Sequence, residues 1–231
     1  MFYYDPTYVL VVIGAVLCML ASARVNSVFR RYSTVRSYSG LTGREAAEKI
    51  LRTNGIFDVA VEHVRGNLTD HYDPTHKVLR LSDATYNSTS VAAIGVAAHE
   101  CGHAVQHNVG YLPLQFRGAL VPVANFGAAI AWPLFFIGLF LNGRTSLLFI
   151  NLGILLFSAA VLFQIVTLPV EINASRRAVH VLDNTGILAP EEVSAVRKVL
   201  GAAALTYVAS AASIILQLLR LLMIAGNRRN D

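Results

Sequence analysis

The sequence predicts a mainly α-helical protein that crosses a membrane four times, and three observations predict it. Hydrophobic residues make up 55% of the 231 residues against 14% charged, and mean hydropathy is +0.52, the balance of a chain whose solvent is largely lipid. Uncharged runs long enough to span about 30 Å of hydrocarbon recur along the chain. The remaining charges gather into two polar segments between those runs.

Residues 6–23 form the first candidate span, about 27 Å long as a helix, with Tyr8 at one edge and Arg24 at the other. Ala21-Ser22-Ala23 also fits a leader-peptide cleavage site, but the residues before the apolar run carry no basic charge, so a retained anchor is expected. Residues 24–117 are the first polar segment. Residues 118–141 and 145–169 are the second and third spans, joined by a turn of three residues. Residues 170–199 are the second polar segment, and residues 200–222 the fourth span, with Arg220 placed to snorkel. A two-span hairpin returns the chain to the side it left, so the two polar segments share one compartment. Of 19 Lys and Arg, 11 lie in the first segment and 4 in the second, which by the positive-inside rule puts both in the cytoplasm. The pI of about 9.4 thus reads as topology and lipid-surface charge and argues against nucleic-acid binding. Two cysteines, Cys18 in the first span and Cys101 in a polar segment, allow no disulfide framework.

Within the first polar segment, residues 30–40 read as a basic, Ser-rich linker near the membrane surface. Thr42-Gly43-Arg44-Glu45 is a capping box opening a helix over 43–53, closed by Asn54-Gly55. Residues 58–64 and 77–81 alternate around the turn-rich stretch 69–75, which predicts a small β-hairpin. Its second strand, 77–81, offers a shelf for an extended peptide. Then comes VAAIGVAAHECGHAVQHN, Val91 to Asn108. It is Ala-rich and Pro-free and follows Ser88, Thr89 and Ser90, so a helix is predicted.

That helix carries H-E-x-x-H at His99, Glu100 and His103. A chain of this composition matches the pattern by chance on the order of 0.006 times. Positions four apart share a helix face, so the two imidazoles can meet one metal ion with Glu100 beside them as a base. This is a zinc hydrolase site in outline. Such a site takes three protein ligands and a water, so a third ligand is required. His107 fails, because the eight residues from His99 rise about 12 Å, whereas two ligands of one zinc lie at most about 4 Å apart. Gln106 and Val109 stand where a metzincin has Gly and His, which excludes that class. Cys101 sits about 200° around the helix from His99 and suits packing better than ligation.

The third ligand must then come from elsewhere, and the chain returning from the hairpin offers Glu171. A carboxylate at the bilayer boundary costs free energy unless something binds it, so Glu171 is the expected third ligand. Ser175, one turn later on the same face, is placed to hydrogen-bond a ligand. His180 and Tyr111 are candidates for stabilising an oxyanion.

Together, H-E-C-G-H-A-x-Q-H, Asp70-His71-Tyr72-Asp73-Pro74 and L-P-V-E-I-N-A-S-R-R-A resemble the neutral zinc metallopeptidases of bacterial membranes, the YugP-like proteins, over nearly the whole chain. The glutamate after a transmembrane hairpin is more distantly similar to the HtpX and CAAX-processing membrane metallopeptidases, in which E-x-x-A-D supplies the third ligand. Here Ser175 stands in place of that Asp. The resemblance implies a Zn2+-dependent peptidase of the bacterial inner membrane. Its zincin-like segment, the H-E-x-x-H helix with its β-hairpin, would face the cytoplasm, and its partners would be a protein or peptide substrate and the lipid bilayer. The alternative is a non-catalytic membrane adaptor with a structural zinc site, against which an intact Glu100 argues. A metal transporter would want polar or acidic residues within the spans, and the second and third spans offer Asn125, Asn151 and Gln164 but no carboxylate.

Overall fold

The computed structural model describes residues 6 to 229; the stretch 1–5, whose lack of basic charge argued against a cleaved leader, lies outside them. In chain order it contains α1 (Tyr8–Ser33), α2 (Gly43–Thr53), β1 (Ala60–His63), β2 (His71–Asp73), β3 (Val78–Leu81), α3 (Val91–Asn108), α4 (Leu112–Phe140), α5 (Gly143–Asn184) and α6 (Pro190–Arg229). The protein is mainly helical, and α1, α4, α5 and α6 are each long and apolar enough to cross a membrane. The chain divides into two compact units. One takes the chain up to Ala21, Gln115–Leu168 and everything from Thr206, and the other takes Ser22–Leu114 and Pro169–Leu205.

In the first unit, close helix contacts are made through small residues, as suits an environment where apolar burial alone gives helices no reason to associate. A Cβ added at Gly127 would lie 2.6 Å from the Leu156 carbonyl, and one at Gly138 would lie 2.8 Å from the Ile150 nitrogen. The Ser146 hydroxyl donates to the Gly138 carbonyl at 2.7 Å, locking the α4–α5 turn, where Gly143 holds φ +65°. Trp132 stacks on Phe136 and meets Phe157 edge-on, filling the space between α4 and α5. The Arg220 guanidinium lies 4.6 Å over the Tyr8 ring.

The second unit is organised around α3. The Ser90 hydroxyl accepts the Ala93 N–H as its N-cap. Beyond the cap the helix is buried along most of its length, which its Ala and Gly content permits. Ile94, Ala97, Ala98, Cys101 and Ala104 pack with Ala46, Ala47, Ile50 and Leu51 of α2, Leu79 and Leu81 of β3, and Leu182, Val193 and Val196 of α5 and α6. Both halves of the α2 capping box form, Thr42 accepting from the Glu45 N–H while Glu45 accepts from the Thr42 N–H. Gly102 lets α5 approach closely, since a Cβ there would stand 2.5 Å from the Ala174 carbonyl oxygen.

Three expectations are corrected. Helix α1 runs on to Ser33, into the stretch read as linker. Arg24 ends the hydropathy signal but nothing ends the helix, and Val25, Val28, Phe29 and Tyr32 form a helical stripe against Ala92, Val199 and Ala202. The expected hairpin of 58–64 with 77–81 does not exist. Strands β1 and β3 pair in parallel, Ala60 opposite Val78 through His63 opposite Leu81, and the hairpin is β2 with β3, in sheet order β1-β3-β2. Asp73 makes that hairpin: its carboxylate accepts from the Thr75 and His76 N–H groups and pairs with Arg80, while Lys77 takes φ +52°. Because β3 is the central strand with neighbours on both sides, 77–81 is not a shelf for an added peptide.

Two tests follow from these contacts. Gly102→Ala is expected to destabilise the protein by about 1–3 kcal/mol because a backbone carbonyl is in its way. Gly201→Ala in α6, where an added Cβ meets nothing within 4 Å, should stabilise it by about 0.5–1 kcal/mol. Thermal unfolding in detergent reads both signs. The hydrogen bond from the His76 ring, the His76 and Thr75 N–H groups and Arg80 hold the Asp73 carboxyl well below the usual carboxylate range. A group depressed in the folded state contributes stability above its unfolded pKa and loses it as pH falls through the folded value. Asp73→Asn should therefore lower Tm at neutral pH, with the gap to the parent closing in strong acid.

Candidate metal centre

Helix α3 and the α5 segment after Pro169, both in the second unit, build one cluster. His99 and His103, one turn apart on α3, face each other edge to face with ring centroids 4.8 Å apart. Glu171 lies against both: its Oε2 is 3.2 Å from His99 Nε2 and 3.5 Å from His103 Nε2. The Glu171 side chain is only 3% exposed, and the two imidazoles are 13% and 10% exposed. A carboxylate so deeply buried requires compensation, and the paired imidazoles are where it finds it.

Each imidazole has a second partner on its other nitrogen. His99 Nδ1 is 3.1 Å from the Ser175 hydroxyl, and His103 Nδ1 is 3.0 Å from Gln106 Oε1. Burial pushes the His103 pKa down, but the Glu171 hydrogen bond and the charges of Glu100 and Glu171 outweigh it and hold that pKa above the usual histidine value. Glu100 is buried on α3, next in sequence to His99.

The donor set suits zinc. One ligand atom from each of His99, His103 and Glu171 lies within 4.8 Å of the others. Atoms about 2 Å from a common ion lie at most about 4 Å apart, so the three are within about an ångström of ligating geometry. Two imidazoles and one carboxylate make three protein ligands of kinds that zinc accepts.

The other sequence candidates have partners of their own. The hydroxyl of Tyr72 on β2 lies 2.8 Å from His107 Nδ1, away from the cluster. His180 hydrogen-bonds Asn184 along α5, about 13 Å of helix rise beyond Glu171. The Tyr111 ring lies 6.0 Å beneath the Arg177 guanidinium, and its N–H donates to the Gln106 carbonyl. Cys101 is fully buried, its thiol turned to the Ala47 carbonyl and its pKa raised by burial, so it packs and does not ligate. The sequence reading used Gln106 only to exclude a metzincin. A signal was nonetheless present, since Gln106 is three residues after His103 and seven after His99, on the ligands' own helix face.

Comparisons with known proteins agree with this geometry. A family model described as "Putative neutral zinc metallopeptidase" matches residues 7–226. "Putative membrane protease YugP" of Bacillus subtilis (strain 168) is 51% identical over 215 residues, 93% of this chain and 94% of that one. No solved structure matches significantly. The match over nearly the whole length shows that this chain belongs to the neutral zinc metallopeptidase family of membrane proteases.

Proposed function

We propose that the protein is a zinc-dependent endopeptidase of the bacterial inner membrane, with its site on the cytoplasmic side. The observation that carries this reading is the convergence of Glu171 with His99 and His103, residues about seventy positions apart, in a buried cluster beside Glu100. Helix α3 with its three-stranded sheet is the zincin-like segment. The concentration of Lys and Arg in the two polar segments supports the cytoplasmic side. The substrate is a protein or peptide, cleaved at the bilayer boundary.

His99, His103 and Glu171 would hold the ion. Zinc bound there would acidify its water enough to give a nucleophile near neutral pH and would polarise the scissile carbonyl. The remaining chemistry belongs to side chains. The Glu100 carboxylate takes the proton of the attacking water and returns it to the departing amide nitrogen. Glu171 offsets the positive charge on the imidazole side while staying out of proton transfer. Ser175 and Gln106, on the far nitrogens, orient the two rings. A structural site in an adaptor would have no use for a base and would close its fourth position with a protein ligand.

Detergent-purified protein incubated with unfolded polypeptides should cleave them, and a chelator should stop it. Glu100→Gln is expected to cut turnover by about 10²–10⁴-fold while leaving zinc content at the parent level; turnover near the parent rate sinks the base assignment. Glu171→Ala should lose zinc and activity together, and full zinc occupancy by elemental analysis points to another ligand.

A further inference from the structure

Gln106 is fully buried although it carries a primary amide, a group that is expensive to bury without partners. Its partners fix which way it points. The Val170 backbone carbonyl can only accept, so the group 2.8 Å from it is the amide NH2. The Arg177 guanidinium can only donate, so the Asn173 oxygen 2.7 Å from it accepts. That same oxygen takes the second Gln106 hydrogen at 3.0 Å. With both hydrogens committed, Gln106 turns its oxygen on His103 Nδ1, 3.0 Å away. An amide oxygen only accepts, so Nδ1 carries a proton, and Nε2, the atom facing Glu171, is the nitrogen whose lone pair is left for an ion once any proton it shares with that carboxylate is displaced.

We propose that Gln106 is the positioning residue of this centre. It holds His103 in the tautomer whose Nε2 is free to ligate, and it ties α3 to the α5 backbone one residue before Glu171. One side chain thereby sets both the second and the third ligand. His99 has no equivalent, because the Ser175 hydroxyl can donate or accept and leaves that ring's tautomer open. The inference rests on the metallopeptidase reading for the identity of the ion; the polarity of the hydrogen bonds does not.

The test uses the full chain in detergent micelles. In metal-free wild-type protein labelled with 15N-histidine, in mildly alkaline buffer, His103 is expected to show its proton on Nδ1, its resonances assigned by their loss in H103Q. Q106M keeps the volume and removes the amide. It should mix the two tautomers and weaken zinc affinity, read by chelator competition, by about 10–100-fold. A role in packing alone would lower Tm and move neither readout. A proton on Nε2 in the wild type, or wild-type zinc affinity in Q106M, overturns the proposal. If Q106M does not fold, the wild-type tautomer decides by itself. Wild-type protein that takes no zinc sinks the metallopeptidase reading, while the tautomer still decides the role of Gln106.

Discussion

The second unit depends on what surrounds one carboxylate. Glu171 is taken almost wholly out of solvent, and an ionised carboxylate left there alone would cost several kcal/mol even after relaxation. Two imidazoles reach it from α3 and help to compensate it, which requires α3 and α5 to run close together at that point. Gly102, three residues after His99, provides the approach, because the backbone of Ala174, three residues after Glu171, lies against it. The small residues along α3 are therefore as necessary to the chemistry as the motif residues between them.

Much of this was legible in the residues. The H-E-x-x-H spacing, the Ser90 cap and the Pro-free alanine run define α3 locally, because capping and face sharing operate within a turn or two of helix. The choice of Glu171 came from topology: a two-span hairpin brings the chain back, and an acid there needs a partner. What the residues hid was non-local or short. Strand β2 is three residues long, too few to show alternation, so its place beside β3 could not be read and the partner of β1 was assigned the wrong direction. Helix α1 was cut short because a hydropathy scan responds to Arg24, whereas the backbone responds to the absence of a breaker and to the Val25–Tyr32 stripe. Gln106 was visible but uninterpreted, since only the fold reveals that Val170 and Asn173 are its partners.

The two units use glycine and alanine under different constraints. Among the spans, Gly127 and Gly138 bring backbones together where lipid offers no hydrophobic drive. Around α3, Gly95 admits the Val196 side chain and Gly102 a backbone carbonyl, in a core built by burial of Ile50, Leu79, Leu81 and Ile94. The same residue types serve van der Waals contact in one place and close positioning of polar groups in the other.

The alcohol at Ser175 bears on the character of an ion held nearby. An aspartate against the His99 ring would add a full negative charge and make that imidazole a stronger electron donor. A neutral hydroxyl does neither. With Glu100 and Glu171 as the adjacent anions, a divalent ion would be balanced to zero net charge and not pushed beyond it. An ion held there would be gripped less tightly against a competing chelator and would pull harder on a carbonyl than one beside a carboxylate-backed imidazole.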